Sequence, residues 1–178
     1  MKKQTKITLR WLINQKACQR SLLHVCKNHY IDLPAEVFLN KLMREGRFHD
    51  ANWLLCHLFK FKKQRVQYAI FCTELINKKN KKHLDIINLK EIIQAAKNYL
   101  KNPCKKTITT TEKIIDKITN FNDSLEGIYI LGSLIYTDHK LNLDDAIIDT
   151  MGIAIFTHIV SNKHKEEKII QYGISLLK

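Results

Sequence analysis

Leu89-Lys90-Glu91-Ile92-Ile93-Gln94-Ala95-Ala96-Lys97-Asn98-Tyr99-Leu100 decides the fold class. Leu89, Ile92, Ile93, Ala96 and Leu100 fall at i, i+3, i+4, i+7 and i+11, the period of one helix face and not the alternation of a strand. Asn102-Pro103 closes the segment, because a proline ring drives the preceding residue out of helical backbone. The same period recurs on both sides. Cys18, Leu22, Val25, Cys26 and His29 are expected to share one face. Asp32 and Pro34 mark the next helix start, with Phe38, Leu39 and Leu42 as its buried stripe. Glu45-Gly46 reads as its end, with Gly46 in the left-handed position after the cap. A helix from about His49 to Phe59 follows, then one carrying Val66, Ala69, Ile70, Thr73 and Ile76. Lys78-Lys79-Asn80-Lys81-Lys82-His83 reads as a charged loop.

Beyond residue 106, Thr109-x-x-Glu112 has the spacing of a capping box, opening a helix through Ile114, Ile115 and Ile118. Residues 124–136 and 146–160 are apolar all round, and their lengths favour buried helices over strands. Ile169, Ile170, Gly173, Ile174 and Leu177 make a terminal helix that docks one face. The expectation is an all-α fold of about eight or nine packed helices in a single globular domain, residues 1–178. The 178 residues are 45% hydrophobic, which is enough for a core. Two prolines and five glycines exclude collagen and fit a turn-dense sandwich poorly.

The charge is polarised. Residues 1–59 hold ten basic and four acidic side chains, residues 60–106 thirteen and three, and residues 107–178 seven and ten. A net charge of +13 attracts nucleic acid, an anionic membrane or an acidic protein face. Lys60, Lys62, Lys63 and Arg65, then Lys78, Lys79, Lys81 and Lys82, bracket one helix and form the candidate protein- or nucleic-acid-binding patch. Phe59 and Phe61 interleave with its first half. Against base readout, 25 of the 30 basic residues are Lys and five are Arg, the residue of bidentate phosphate and base contact. Lys, Ile and Asn together fill 62 positions, a bias that AT-rich coding produces whatever the function.

Five cysteines, Cys18, Cys26, Cys56, Cys72 and Cys104, follow an N-terminus with no uninterrupted apolar h-region. Four lie in apolar-periodic stretches, where a thiol behaves as a small buried hydrophobe. A reducing, cytoplasmic setting without disulfides is expected. No run approaches 18 apolar residues, so no transmembrane segment is expected. Metal and cofactor sites are not expected. Cys26-x2-His29 is half of a zinc spacing with no second half, and adjacent Cys56-His57 point about 100° apart on a helix. Asp138, Asp144, Asp145, Asp149 and His139 cluster, but Asp144 and Asp145 suit the first turn of a helix. No glycine-rich phosphate loop exists. Arg44-x4-His49 resembles the Arg-x4–6-His pattern of the HEPN ribonucleases, in which the two residues share a helix. Here Gly46 lies between them.

Four segments together carry a family resemblance. They are Leu42-Met43-Arg44-Glu45-Gly46-Arg47-Phe48-His49-Asp50-Ala51-Asn52-Trp53-Leu54-Leu55, Gln64-Arg65-Val66-Gln67-Tyr68-Ala69-Ile70-Phe71-Cys72-Thr73-Glu74, Ile93 to Leu100, and Lys168-Ile169-Ile170-Gln171-Tyr172-Gly173-Ile174-Ser175-Leu176-Leu177. In this order, over residues 17 to 178, they resemble the small helical immunity proteins of bacteria and phages, similar to the fifth class of polymorphic-toxin immunity proteins. The resemblance implies a non-enzymatic inhibitor that binds a toxin or other protein target stoichiometrically in bacterial, phage or host conflict. It implies no catalytic residue. Gly46, Asn52, Trp53, Tyr68, Tyr172 and Gly173 are the matching motif positions and read as fold determinants, with Asn52 expected to bond a backbone end beside the Gly46 turn. The chain departs from the family in its Lys-rich stretch from Lys78 to Asn88, and a basic member suits an acidic protein surface. The alternative function is nucleic-acid binding through Lys60 to Lys82.

Overall fold

The computed structural model describes residues 5–77, 86–104, 106–107, 109–110, 113 and 163–178. They form α1 (Leu9–Asn14), α2 (Gln19–Lys27), α3 (Ala35–Arg44), α4 (Phe48–Leu58), α5 (Lys62–Asn77), α6 (Ile86–Lys101) and α7 (Lys163–Leu176). The protein is mainly α-helical. Seven helices stand among the described residues, against eight or nine expected for the whole chain. The Lys78–His83 loop, the Glu112 half of the capping box, the segments 124–136 and 146–160 and the acidic cluster from Asp138 to Asp149 lie outside them.

The first three helices end in the same way. At each, the residue after the cap takes positive φ, and the chain returns two backbone N–H groups to the last turn. After α3, Gly46 (φ 70) donates to Met43 (3.0 Å) and Arg47 donates to Leu42 (2.9 Å). After α1 the same pair runs from Lys16 to Ile13 and from Ala17 to Leu12, and after α2 from His29 to Cys26 and from Tyr30 to Val25. Lys16 (φ 59) and His29 (φ 55) do this with a Cβ, at the cost of left-handed backbone in an L-residue. The Gly46 stop therefore matches the expectation, whereas the other two stops carry no glycine to mark them.

One small element departs from the all-helical expectation. β1 (Lys6–Ile7) pairs antiparallel with β2 (Leu33–Pro34), Lys6 opposite Pro34 and Ile7 opposite Leu33. Ile7 is fully buried beneath the pair. Pro34 consequently occupies the N-cap of α3 in extended backbone, not its first turn. Asp32, expected to start that helix, takes φ 63 and gives its N–H to Ile7.

The α2 face is also narrower than expected. Val25 is buried and Leu22 half-buried, but Cys18, Cys26 and His29 are exposed. Cys18 is the N-cap and His29 follows the C-cap, so neither keeps helical phase. Cys26 is rotated about 100° from Val25, off the stripe. All five cysteines are free; Cys56 and Cys72 are buried, Cys104 half-buried.

The core lies where α7 packs against α3, α4 and α5, with α6 on the far side of α5. Ile169, Ile170 and Ile174 of α7 are buried among Leu39, Leu54 and Leu55 of α3 and α4 and Val66, Tyr68 and Ala69 of α5. Gln64 ties the two ends of this layer. Its Oε1 accepts from the Phe61 N–H at the start of α5 (3.0 Å), and its Nε2 donates to the Leu176 carbonyl at the end of α7 (2.6 Å). Each bond satisfies a helix-end backbone group. Lys97 of α6 donates to Glu74 of α5 (2.6 Å). Among the described residues no helix is long and apolar enough to cross a membrane.

Candidate functional site

The α1–α2 and α3–α4 pairs border a half-open cavity of about 430 Å³. Its walls are apolar: Leu12 from α1, Val25 from α2, Phe38 and Leu42 from α3, Trp53 and Leu54 from α4. The size falls within the range of small-molecule sites, about 300–1,000 Å³. Trp53 is half-buried, lying against His57 (centroids 4.1 Å apart) with one side on the cavity. His57 Nδ1 is 2.9 Å from the Trp53 carbonyl, which fixes the His57 ring.

The solvent side of the cavity is polar and linked across the two helix pairs. The Ser21 hydroxyl donates to Asp50 Oδ1 (2.9 Å), and Cys18 Sγ lies 3.2 Å from Ser21 Oγ. Arg47 Nε donates to Asp50 Oδ2 (2.5 Å), and the guanidinium also pairs with that oxygen through a terminal nitrogen. Asp50 sits in the first turn of α4, where a carboxylate complements the helix dipole. Hydrogen bonding from the Ser21 hydroxyl, then from the Ser21 backbone N–H, holds the Cys18 thiol below its ordinary value against burial and the Asp50 charge. The hydroxyl has one proton, so forming the thiolate takes it from Asp50.

A second polar knot closes the α2–α3 side. The Tyr30 hydroxyl donates to Glu45 Oε1, and His24 Nε2 lies 2.8 Å from Glu45 Oε2. Lys41 Nζ sits 4.5 Å from the Tyr30 ring centroid. Burial pushes the Glu45 carboxyl up, but the bonds from Tyr30 and His24 and the charges of His24 and Arg47 outweigh it, and the group lies below its ordinary value. The bond to Glu45 pushes the Tyr30 phenol up.

No family model, curated protein or solved structure matches this chain. The site is therefore read from its own geometry.

The sequence-derived candidates divide. Lys60 and Lys63 are exposed, and Phe61 between them is 67% exposed, whereas Phe59 is buried against Tyr68 (centroids 5.2 Å). Lys62 opens α5. Arg65 turns inward and donates to the Phe59 carbonyl (3.2 Å), so it fastens the turn. Lys78, Lys79, Lys81 and Lys82 lie outside the described residues. Arg44 ends α3 and His49 is the second residue of α4, with the Gly46 turn between them. The shared helix of the HEPN pattern is absent. Among the described residues no group of three or more His, Cys, Asp or Glu is placed to hold a metal ion.

Of the motif residues, Asn52, Tyr68 and Gly173 are buried, Trp53 and Tyr172 pack half-buried against the core, and Gly46 is exposed. Asn52 does not bond a backbone end at Gly46. It is buried, and its Oδ1 accepts from the Tyr68 hydroxyl (2.6 Å), while its Nδ2 has no partner among the described residues. Gly173 faces the same spot, beside Leu55 and the Tyr68 ring. Tyr172 stacks on Phe71 (centroids 4.0 Å, planes 17° apart). Burial pushes the Tyr68 phenol and the Cys72 thiol well above their ordinary values. The cavity's polar network was not visible in the sequence. Its bonds join residues 29 and 21 positions apart, and no local spacing marks them.

Proposed function

We propose that this chain is a stoichiometric binding protein of the immunity type, and that the cavity between α1–α2 and α3–α4 seats an apolar side chain of its protein target. The observation that supports this most is the pairing of apolar walls with a polar rim whose groups already bond one another. Asp50 is satisfied by Ser21 and Arg47, and Glu45 by Tyr30 and His24. An apolar group entering between them strands no buried polar atom, so the full gain of burial is retained. Interfaces concentrate their energy in such anchors. The test is a tagged pull-down from the native host at about 0.15 M salt, with and without nuclease, using the wild type and Ala17→Phe, which fills the cavity from its wall. A discrete protein held by the wild type after nuclease treatment and lost by the variant supports the reading. Equal capture by both overturns the cavity's part in it.

A second reading has one favouring observation, Phe61 standing exposed between Lys60 and Lys63. A stacking ring beside cations is the arrangement of a single-strand nucleic-acid binder. Recovery of nucleic acid without a protein partner, with affinity falling steeply between about 50 and 200 mM salt, selects it.

A further inference from the structure

The turn that leads into α5 presents one apolar ring on a fixed base. Phe59 is 1% exposed and packs on Tyr68, whereas Phe61, two residues on, is 67% exposed. Arg65 donates to the Phe59 carbonyl (3.2 Å), and Gln64 takes the Phe61 N–H while it holds the Leu176 carbonyl. The backbone is therefore fastened on both sides of Lys60, and the exposed ring is not slack in the chain. Lys60 and Lys63 stand exposed beside it, and neither is ion-paired among the described residues.

Nothing acidic answers this charge. No Asp or Glu occurs between Asp50 and Glu74, and those two are engaged, Asp50 by Arg47 and Glu74 by Lys97. Helix α7 runs antiparallel to α5, with Gln64 bonded to Leu176 at one end and Lys165 to Leu75 at the other. Glu166 and Glu167 of α7 therefore lie roughly 16 Å along the helices from the turn, at about 1.5 Å per residue. That is beyond the screening length of about 8 Å at physiological salt.

We infer that this turn docks the protein on an anionic lipid surface, Phe61 entering the interface and Lys60 and Lys63 meeting the headgroups. The residue types choose lipid over the other anionic partners. A single-strand groove lines up successive rings and gains from Arg, but here Phe59 is buried and Arg65 is turned inward. The cores of protein interfaces are depleted in Lys. A lipid surface needs no fixed fork of donors. Each lysine is attracted as a point charge, its stem lying along apolar surface with its head in water. A single ring then adds apolar burial at the level of the headgroups.

The test floats the full chain on vesicles of phosphatidylcholine, alone or with about 30% phosphatidylserine, and titrates an oligothymidylate in parallel. The expected result is binding to the phosphatidylserine vesicles alone, weakening as salt is raised. Phe61→Ser should lower the partition coefficient at least about fivefold, the loss of a partly buried ring. Lys60→Gln with Lys63→Gln should lower it about thirtyfold. All three positions are exposed, so the fold is kept, and unchanged urea midpoints check it. A chain of net charge +13 meets anionic lipid through many lysines, so the loss in Phe61→Ser separates this turn from general attraction. In Phe61→Trp, brominated acyl chains should quench the added emission. Vesicle binding that either loss variant leaves unchanged, equal binding to pure phosphatidylcholine, or no vesicle binding overturns the inference. Oligothymidylate binding that needs Phe61, with the vesicles left unbound, overturns it too and gives the turn to the nucleic-acid reading. The protein-binding reading of the cavity is decided apart from this, by capture of the partner with Ala17→Phe.

Discussion

Replacing Gly173 by Ala should destabilise the protein, although alanine is the better helix former. At an exposed helical site the change gains about 1 kcal/mol. Here an added Cβ would lie 2.5 Å from Leu55 Cδ1, 2.9 Å from Tyr68 Cε2 and 3.3 Å from Leu55 Cδ2. Carbon atoms rest at about 3.5–4.0 Å, so two of these contacts are short by more than half an ångström. Neither neighbour has room to retreat. Leu55 and Tyr68 are fully buried, and the Tyr68 ring is tethered through its hydroxyl to Asn52. Overpacking of this kind costs about 1–3 kcal/mol, and at its upper end it leaves a net loss of about 2 kcal/mol after the propensity gain. Urea unfolding followed by tryptophan fluorescence should show the midpoint lower by about 1 M with an unchanged slope. Leu55→Ala alone should cost about 2–5 kcal/mol. Combined with Gly173→Ala it should cost at least about 1 kcal/mol less than the sum, because the truncated side chain vacates the space that the new methyl needs. A midpoint that rises in Gly173→Ala, or strict additivity in the pair, would refute the close approach of α7 to α4 and α5.

Tyr68→Phe should cost about 1–3 kcal/mol at neutral pH, because it leaves Asn52 buried without its remaining partner, as measured by the same unfolding assay. The wild type should also lose stability as pH rises above the ordinary thiol and phenol values of 9.0 and 10.0, since both buried groups have raised values that favour the protonated folded state. The Tyr68→Phe curve should fall less steeply there; an identical alkaline limb speaks against a buried phenol. Glu45 has the opposite sign. Its lowered value gives stability that is present above the ordinary 4.5 and lost as pH falls through the folded value, so Glu45→Gln should be less stable near neutrality and converge with the wild type in acid. A constant difference across that titration would remove Tyr30 and His24 as the cause. His29→Gly should raise stability by about 0.5–1 kcal/mol, since an exposed residue at φ 55 gives up left-handed strain; a lower urea midpoint would contradict the turn geometry after α2.

What could be read in the sequence was whatever short-range periodicity controls. The described part of the α6 stripe (Ile93, Ala96 and Leu100), the Gly46 stop and the terminal Ile169–Ile174 face all follow from spacings under eight residues, and each stands in the structure. The β1–β2 pair was not legible, because two residues per strand carry no alternation. Neither were the stops after α1 and α2, where Lys16 and His29 take a glycine's backbone without a glycine's signature. Asn52 was legible as a special residue but not in its role, since its partner Tyr68 is 16 positions away in the next helix. The cavity was the least legible feature. Its walls are ordinary core residues, and a space between helices is set by how two pairs cross, which no single helix encodes.

The docking of α7 also governs when the protein can finish folding. Helices α3, α4 and α5 precede it, and the residues that cover Leu55 and Tyr68 follow the end of α5 about 95 positions later. At about 5–20 residues per second, the nascent chain displays that unfinished apolar layer for roughly 5–19 s. Its closure then depends on sequence-distant contacts, which form slowly. Through that interval the chain is a client for chaperones and a target for aggregation. Overexpression should therefore be limited less by the stability of the finished fold than by the wait for α7.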